Sequence, residues 1–117
     1  MSGKTSYLAG LAAEDAIARA YTQKGGTIAA KRWRGSRGEI DLVVRDADGL
    51  VFIEVKKSQN FARAAERLSE RQMARIYGAA SEFLAQEPAG QNTPVRFDVA
   101  LVDATGQLEI IENAFGM

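Results

Sequence analysis

At 117 residues, 46% hydrophobic and 26% charged, the chain is long enough to bury one core without metal or disulfide staples, and a single domain over 1–117 is expected. It holds no cysteine and no histidine, which excludes disulfides, thiolate nucleophiles, cysteine zinc sites and imidazole chemistry and leaves carboxylates, lysine, tyrosine, hydroxyls or a bound cation. Net charge is zero, yet residues 1–76 carry 14 Lys/Arg against 9 Asp/Glu and residues 77–117 one Arg against six acids, so a neutral molecule can still own a positive face.

No apolar run approaches the roughly 18 residues of a membrane span. The opening "MSGKTSYLAGLAAED" has too short an apolar stretch for a secretory signal. A soluble, cytoplasmic protein with no membrane partner is the expectation.

Taken in chain order, a first helix is predicted from about Ser6 to Lys24, ended by Gly25-Gly26. Its apolar face gathers Tyr7, Leu11, Ile17, Ala18 and Tyr21, with Glu14 near the middle of that stripe. A strand follows over Thr27–Trp33, then two more over Glu39–Arg45 and Leu50–Lys57 around "DADG". Residues 59–68 read as a helical turn or an ordered loop. Ser69 with Gln72 matches a capping box, which starts the main helix at Ser69 and carries it to about Gln86. "EPAGQNTP" is a loop, "VRFDVALVD" a strand, and "QLEIIE" a last strand. The fold class is therefore α/β, in the order α-β-β-β-α-β-β, with a mixed central sheet flanked by helices. The strand–helix–strand unit predicts a parallel pair with a right-handed crossover.

The hairpin carries the chemistry. Side chains alternate along a strand, so Glu39 shares a face with Asp41, and Glu54 with Lys56. If Arg45 pairs with Leu50, Asp41 lies opposite Glu54 and Glu39 opposite Lys56. A two-residue Asp48-Gly49 turn would instead set Asp41 opposite Lys56, and a three-residue loop would split the acids between faces. In the first register the two carboxylates sit about 5 Å apart at Cβ. Two full charges there repel by about 3 kcal/mol at an effective dielectric of 20. A raised pKa, a neighbouring cation or a bound ion must offset that. Mg²⁺ prefers one or two carboxylates plus waters and phosphate oxygens, and a lysine beside it can orient a water. Phosphodiester hydrolysis needs these parts and no histidine. The bland alternative is an exposed charged face in which Lys56 simply pairs its neighbours.

"KRWRGSR" sets Lys31, Arg32, Arg34 and Arg37 around Trp33. Cations beside a flat ring suit nucleic acid; a wet strand end with Trp33 in the core is the competing reading. Arg63, Arg67, Arg71 and Arg75 recur every four residues and would line the solvent side of a continuous helix. Arg96 and Asp98 in "RFD" read as structural partners.

Together "GLAAEDAIARAY", "KRWRGSRGEIDLVVRD", "LVFIEVKKS", "RFDVALVD" and "IENAF" resemble the bacterial YraN-like family, from about Ala9 to Phe115. That family resembles the PD-(D/E)XK nuclease superfamily, in a layout close to archaeal Holliday-junction resolvases. The resemblance implies a restriction-endonuclease-like core and a Mg²⁺- or Mn²⁺-dependent nuclease acting on DNA, branched DNA included. By position, Asp41 and Glu54 match the metal-binding acids, Lys56 the catalytic lysine and Glu14 the helix-one glutamate. The Val55 carbonyl would be a further metal ligand. Glu39 belongs to the "GEID" signature. The chain departs from the pattern at Arg32, where asparagine is usual, at Ser58, where arginine is frequent, and at Gln72, where lysine is frequent. Lys31, Arg32, Arg34 and Arg37 would bind backbone phosphates. A binding module with this fold and no turnover is the runner-up, and an adaptor whose acids only pair with basic side chains comes third. The oligomeric state stays open, a homodimer included.

Overall fold

The computed structural model describes the backbone of residues 3–57 and 69–116, and side chains from residue 12 onward within those ranges. The helix α1 spans Gly3–Gln23, β1 Thr27–Arg34, β2 Glu39–Asp46, β3 Gly49–Lys57, α2 Glu70–Leu84, β4 Val95–Val102 and β5 Leu108–Phe115. A short 3-10 turn, Gly90–Asn92, interrupts the α2–β4 loop. The element order matches the expectation. Tyr7, Leu11, Ser58, Arg63, Arg67 and the loop-or-turn assignment for 59–68 lie outside the described side chains or residues.

The five strands form one sheet in the order β1-β2-β3-β4-β5. Neighbours run antiparallel except β3 and β4, which are parallel and joined through α2. Alternation along β3 divides the apolar residues between two layers. Val51 and Ile53 pack with Ala13, Ile17, Ala18 and Tyr21 of α1. Leu50 and Phe52 pack with Ile76, Ala79, Ala80, Phe83 and Leu84 of α2. A helix therefore covers each face of the sheet, because near-continuous apolar central strands need cover on both sides. On the α2 side the rings interlock: Phe83 meets Trp33 and Phe52 edge-on, at 5.4 and 5.8 Å between centroids. Trp33 is thus part of the packed layer, the second of its two sequence readings.

The hairpin settles its register. Arg45 pairs with Leu50, and one further pair, Asp46 with Gly49, leaves only Ala47 and Asp48 as the loop. Asp46 Oδ1 accepts from the Asp48 and Gly49 amides at 2.9 and 3.1 Å, which fixes the turn. Gly49 sits at φ 140°, and a Cβ there would lie 2.2 Å from the Pro94 carbonyl oxygen. That close approach leaves Leu50 N–H free to donate to Pro94 O at 2.9 Å, tying the hairpin to the start of β4.

One buried acid is structural. Asp98, fully buried, accepts from Arg96 Nε at 2.8 Å, Tyr21 Oη at 2.7 Å and the Asn113 amide at 2.9 Å. That amide is available because β5 bulges: Phe97 pairs with Phe115 but Val99 with Ile111, and Asn113 takes φ 52°. Burial and the Asp98 charge push the Tyr21 phenol well above its ordinary pKa. Arg96 and Asp98 are partners, as "RFD" suggested.

Candidate active site

The β2–β3 ladder stops at Leu42–Ile53. The next residues outward are Asp41 and Glu54. Leu42 and Val44 face α1, yet Ile40 packs in the α2 layer with Val43, so β2 loses its strict alternation at Asp41. Ile40 therefore does not join the α1-side row that Leu42 and Val44 share with Val51 and Ile53. Where the strands part, the Val55 N–H donates to Asp41 Oδ2 at 2.8 Å. The carboxylate takes the place that a β2 backbone carbonyl would have held. A residue's N–H and C=O lie on the same side of a strand, so the Val55 carbonyl also faces this opening.

Glu54 projects to the α2 side, with its side chain 10% exposed. Gln72 Nε2 donates to its Oε1 at 3.2 Å, and Lys56 Nζ lies 3.4 Å from the same oxygen. The capping box is thus half-formed. Ser69 Oγ accepts from the Gln72 amide at 3.1 Å, while the Gln72 side chain reaches to the site. Gly38, Glu39, Asp41, Glu54, Gln72, Arg75 and Ile76 line a cleft of about 270 Å³. Of these, Gln72, Arg75 and Gly38 were not assigned to a site from sequence. The signals for Gln72 were its place where the resembling family frequently has lysine and its position beside Met73 and Ile76 on the apolar side of α2.

Burial and the Asp41 charge push the Glu54 carboxyl up to about 7, and Lys56 opposes the rise. Asp41 is also raised, first by burial, while the Val55 amide pulls it down and Glu14 and Glu39 add repulsion. Burial and mutual repulsion disfavour two charges side by side, so the pair keeps hold of a proton well above the ordinary carboxylate range. A sheltered acid pair that retains a proton can exchange it for a dication, and the donors available suit a hard one: two carboxylates from adjacent strands beside the Val55 carbonyl. Among the described residues no three acids are gathered closely enough to hold an ion by side chains alone.

The remaining expected site residues lie on α1, on β1 and on the loop after it. Glu14, on α1, accepts from Arg32 Nε at 2.8 Å. Lys31 pairs with Asp15 at 3.4 Å and Arg34 with Glu39 at 3.2 Å. Arg37 lays its stem across α2 at Gly78, where a Cβ would come within 2.4 Å of its Cδ. Its neighbour Ser36 donates its amide to Glu82 Oε2 at 2.7 Å and its hydroxyl to Glu82 Oε1. The "GSRG" loop is therefore docked on α2. The structure brings Asp41, Glu54, Val55 and Lys56 together, with Gln72 added. Glu14 is held by Arg32 and reaches Asp41 only through its charge, and the basic residues sit along β1 and its following loop.

What carries this arrangement is an α/β protein with a buried Glu54 and a half-buried Asp41 at the splayed edge of its central hairpin. A family model described as "Uncharacterised protein family UPF0102" matches residues 13–102, a span that includes every one of these acids and Lys56. A UPF0102 protein of Cereibacter sphaeroides is 65% identical over 115 residues, covering 98% of both chains. One of Ruegeria pomeroyi is 60% identical over 114 residues, 97% of this chain and 93% of the relative. Another, of Dinoroseobacter shibae, is 45% identical over 111 residues, 95% and 83%. The chain belongs to the UPF0102 family. No described helix is long and apolar enough to cross a membrane.

Proposed function

We propose that this protein is a metal-dependent nuclease of the PD-(D/E)XK type, with a restriction-endonuclease-like core, that hydrolyses phosphodiesters in DNA, branched DNA included. The observation that carries the reading is the meeting of Asp41, held by the Val55 amide, with Glu54 at the end of the hairpin, with Lys56 Nζ 3.4 Å from Glu54. Asp41, Glu54 and the Val55 carbonyl would hold Mg²⁺ or Mn²⁺, which when bound supplies Lewis-acid polarisation of the phosphate and lowers the pKa of a water.

The chain's own groups do the rest. The Val55 amide fixes one oxygen of Asp41. Gln72 holds Glu54 from the α2 side, so that carboxylate is positioned by two elements. Lys56, mostly sheltered at 17% exposure, can orient the attacking water and stabilise negative charge as it develops on the phosphate. Lys31, Arg34 and Arg37 lie along β1 and the loop after it, where backbone phosphates would be gripped.

Incubation of the purified protein with linear, nicked and four-way-junction DNA, in Mg²⁺ or Mn²⁺, tests this. Cleavage by the wild type that is lost in Glu54→Ala and in Lys56→Ala is expected. Cleavage that persists in both variants refutes the assignments. One observation favours a second reading, a DNA-binding module without turnover: Glu14 is engaged by Arg32 instead of by the acid pair. That reading expects salt-dependent binding, weakened by Arg34→Ala, with no metal-dependent cutting.

A further inference from the structure

The recurring arginines of the sequence, Arg63, Arg67, Arg71 and Arg75, have no part in the chemistry above. Two of them, Arg71 and Arg75, fall on α2, and the structure gives those two different surroundings. Both are exposed. Arg75 lines the cleft that holds Glu39, Asp41, Glu54 and Gln72, and Arg71 does not. An interval of four residues overshoots a helical turn, so each step carries the row about 40° around the helix. That drift brings Arg75 to the side where Gln72 and Ile76 also line the cleft. The base of the side chain is set there by the docked "GSRG" loop, since a Cβ on Gly38 would lie 3.2 Å from Arg75 Cβ. Gly38 leads straight into β2, which carries Glu39 and Asp41. One stretch of backbone therefore places the root of Arg75 relative to these acids.

The charges of the cleft are unevenly engaged. Three carboxylates and one guanidinium belong to its lining. Glu39 is paired with Arg34, and Glu54 with Lys56. Among the described residues no acid lies within ion-pair distance of Arg75. Its N–H fork is thus available to an anion arriving from solution, and that fork matches the oxygens of a phosphate.

We propose that Arg75 is a substrate-contacting residue, whose guanidinium grips the DNA phosphate that enters the Asp41–Glu54 cleft from the α2 side. The inference rests on the DNA reading above and adds to it a contact made by the helix. Gln72 and Arg75 then have separate tasks. Gln72 holds Glu54 with a neutral amide and brings no charge to compete with a cation. Arg75 brings the positive charge that draws the phosphate in.

Binding tests this without relying on turnover. The probe is a fluorescein-labelled synthetic four-way junction in EDTA, titrated over a series of salt concentrations with wild type, Arg75→Ala, Arg75→Lys and Arg71→Ala. Thermal melts confirm that each variant is folded. Arg75→Ala should raise Kd about 10-fold and lower the slope of log Kd against log salt by about 1. Arg75→Lys should restore the slope, because the charge remains, and recover only part of the affinity, because an ammonium makes no two-point grip. Arg71→Ala, one turn away and outside the cleft, should weaken binding far less than Arg75→Ala. Equal weakening by those two variants would overturn the contact, since α2 would then act only through its positive field. Melting of Arg75→Ala during Mn²⁺ titration should show the same gain in stability as the wild type; loss of that gain would make Arg75 a support of the acid pair and overturn the contact as well. Junction binding that Arg75→Ala leaves unchanged sinks the proposal and leaves the DNA reading standing, whereas a wild type that binds no junction sinks both.

Discussion

Glu54 shows how a single side chain can set the behaviour of the whole fold. Its carboxyl moves from an ordinary 4.5 to about 7 in the folded chain. Between those values the folded state holds a proton that the unfolded state has released, so stability must fall as pH rises through that window. The loss amounts to about 3 kcal/mol and is complete above the folded pKa. Glu54→Gln removes the titrating group and keeps the shape. Urea denaturation from pH 5 to 8 should therefore show the wild type losing stability relative to the variant, with the variant about 1–3 kcal/mol more stable at pH 8. Parallel curves would mean that the pair does not carry the strain assigned to it. At this scale the sequence was legible for Asp41, Glu54 and Lys56, because the Arg45–Leu50 register and the alternation along β3 bring them to one end of the hairpin, although the break in β2 at Asp41 was not foreseen. It was not legible for Gln72 or for the Arg32–Glu14 pair. Those contacts depend on how α2 and α1 dock on the sheet, and no local period encodes a docking angle.

The elements were read with few errors, and where the reading slipped, tertiary demands explain it. The strict alternation of Val51, Ile53 and Val55 with Leu50, Phe52 and Glu54 marks β3, and Ser69 marks the start of α2. β5 was expected over "QLEIIE", stopping at Glu112. It runs on to Phe115, since a bulge at Asn113 returns Phe115 to the core and hands its amide to Asp98. The hairpin turn is the element most sensitive to a small change. Gly49 combines φ 140° with an approach to the Pro94 carbonyl that leaves no room for a methyl group. Gly49→Ala should cost about 2–4 kcal/mol in chemical denaturation, through backbone strain and loss of the Leu50–Pro94 bond. A cost under about 0.5 kcal/mol would show that the turn relaxes elsewhere.

Across the whole molecule, the opposed charges of the two chain segments meet in specific places. Arg96, the one cation of residues 77–117, touches Asp46 from β2, Asp98 from its own strand and Glu112 from β5. Arg45 of the first segment reaches Glu87 of the second at 2.7 Å. Part of the +5 and −5 imbalance is thereby used in holding the sheet together. Arg96→Ala leaves the buried Asp98 carboxylate without its cation, and a loss of about 3 kcal/mol is expected in denaturation; a loss below about 1 kcal/mol would place the support of Asp98 in Tyr21 and Asn113 alone. The amphipathic periods and the hairpin sufficed to give the sheet and its two covering helices. They could not give the mutual neutralisation of distant charges, which exists only once the chain is folded.

The account stands on the claim that Asp41 and Glu54 converge because a dication can replace the proton the pair retains. Thermal melting during Mn²⁺ titration at pH 8 tests it most directly. The wild type should gain about 2.7 kcal/mol of stability at a hundredfold excess of Mn²⁺ over its Kd, and Glu54→Gln and Asp41→Asn should lose that gain. No stabilisation of the wild type, or equal stabilisation of both variants, would contradict it.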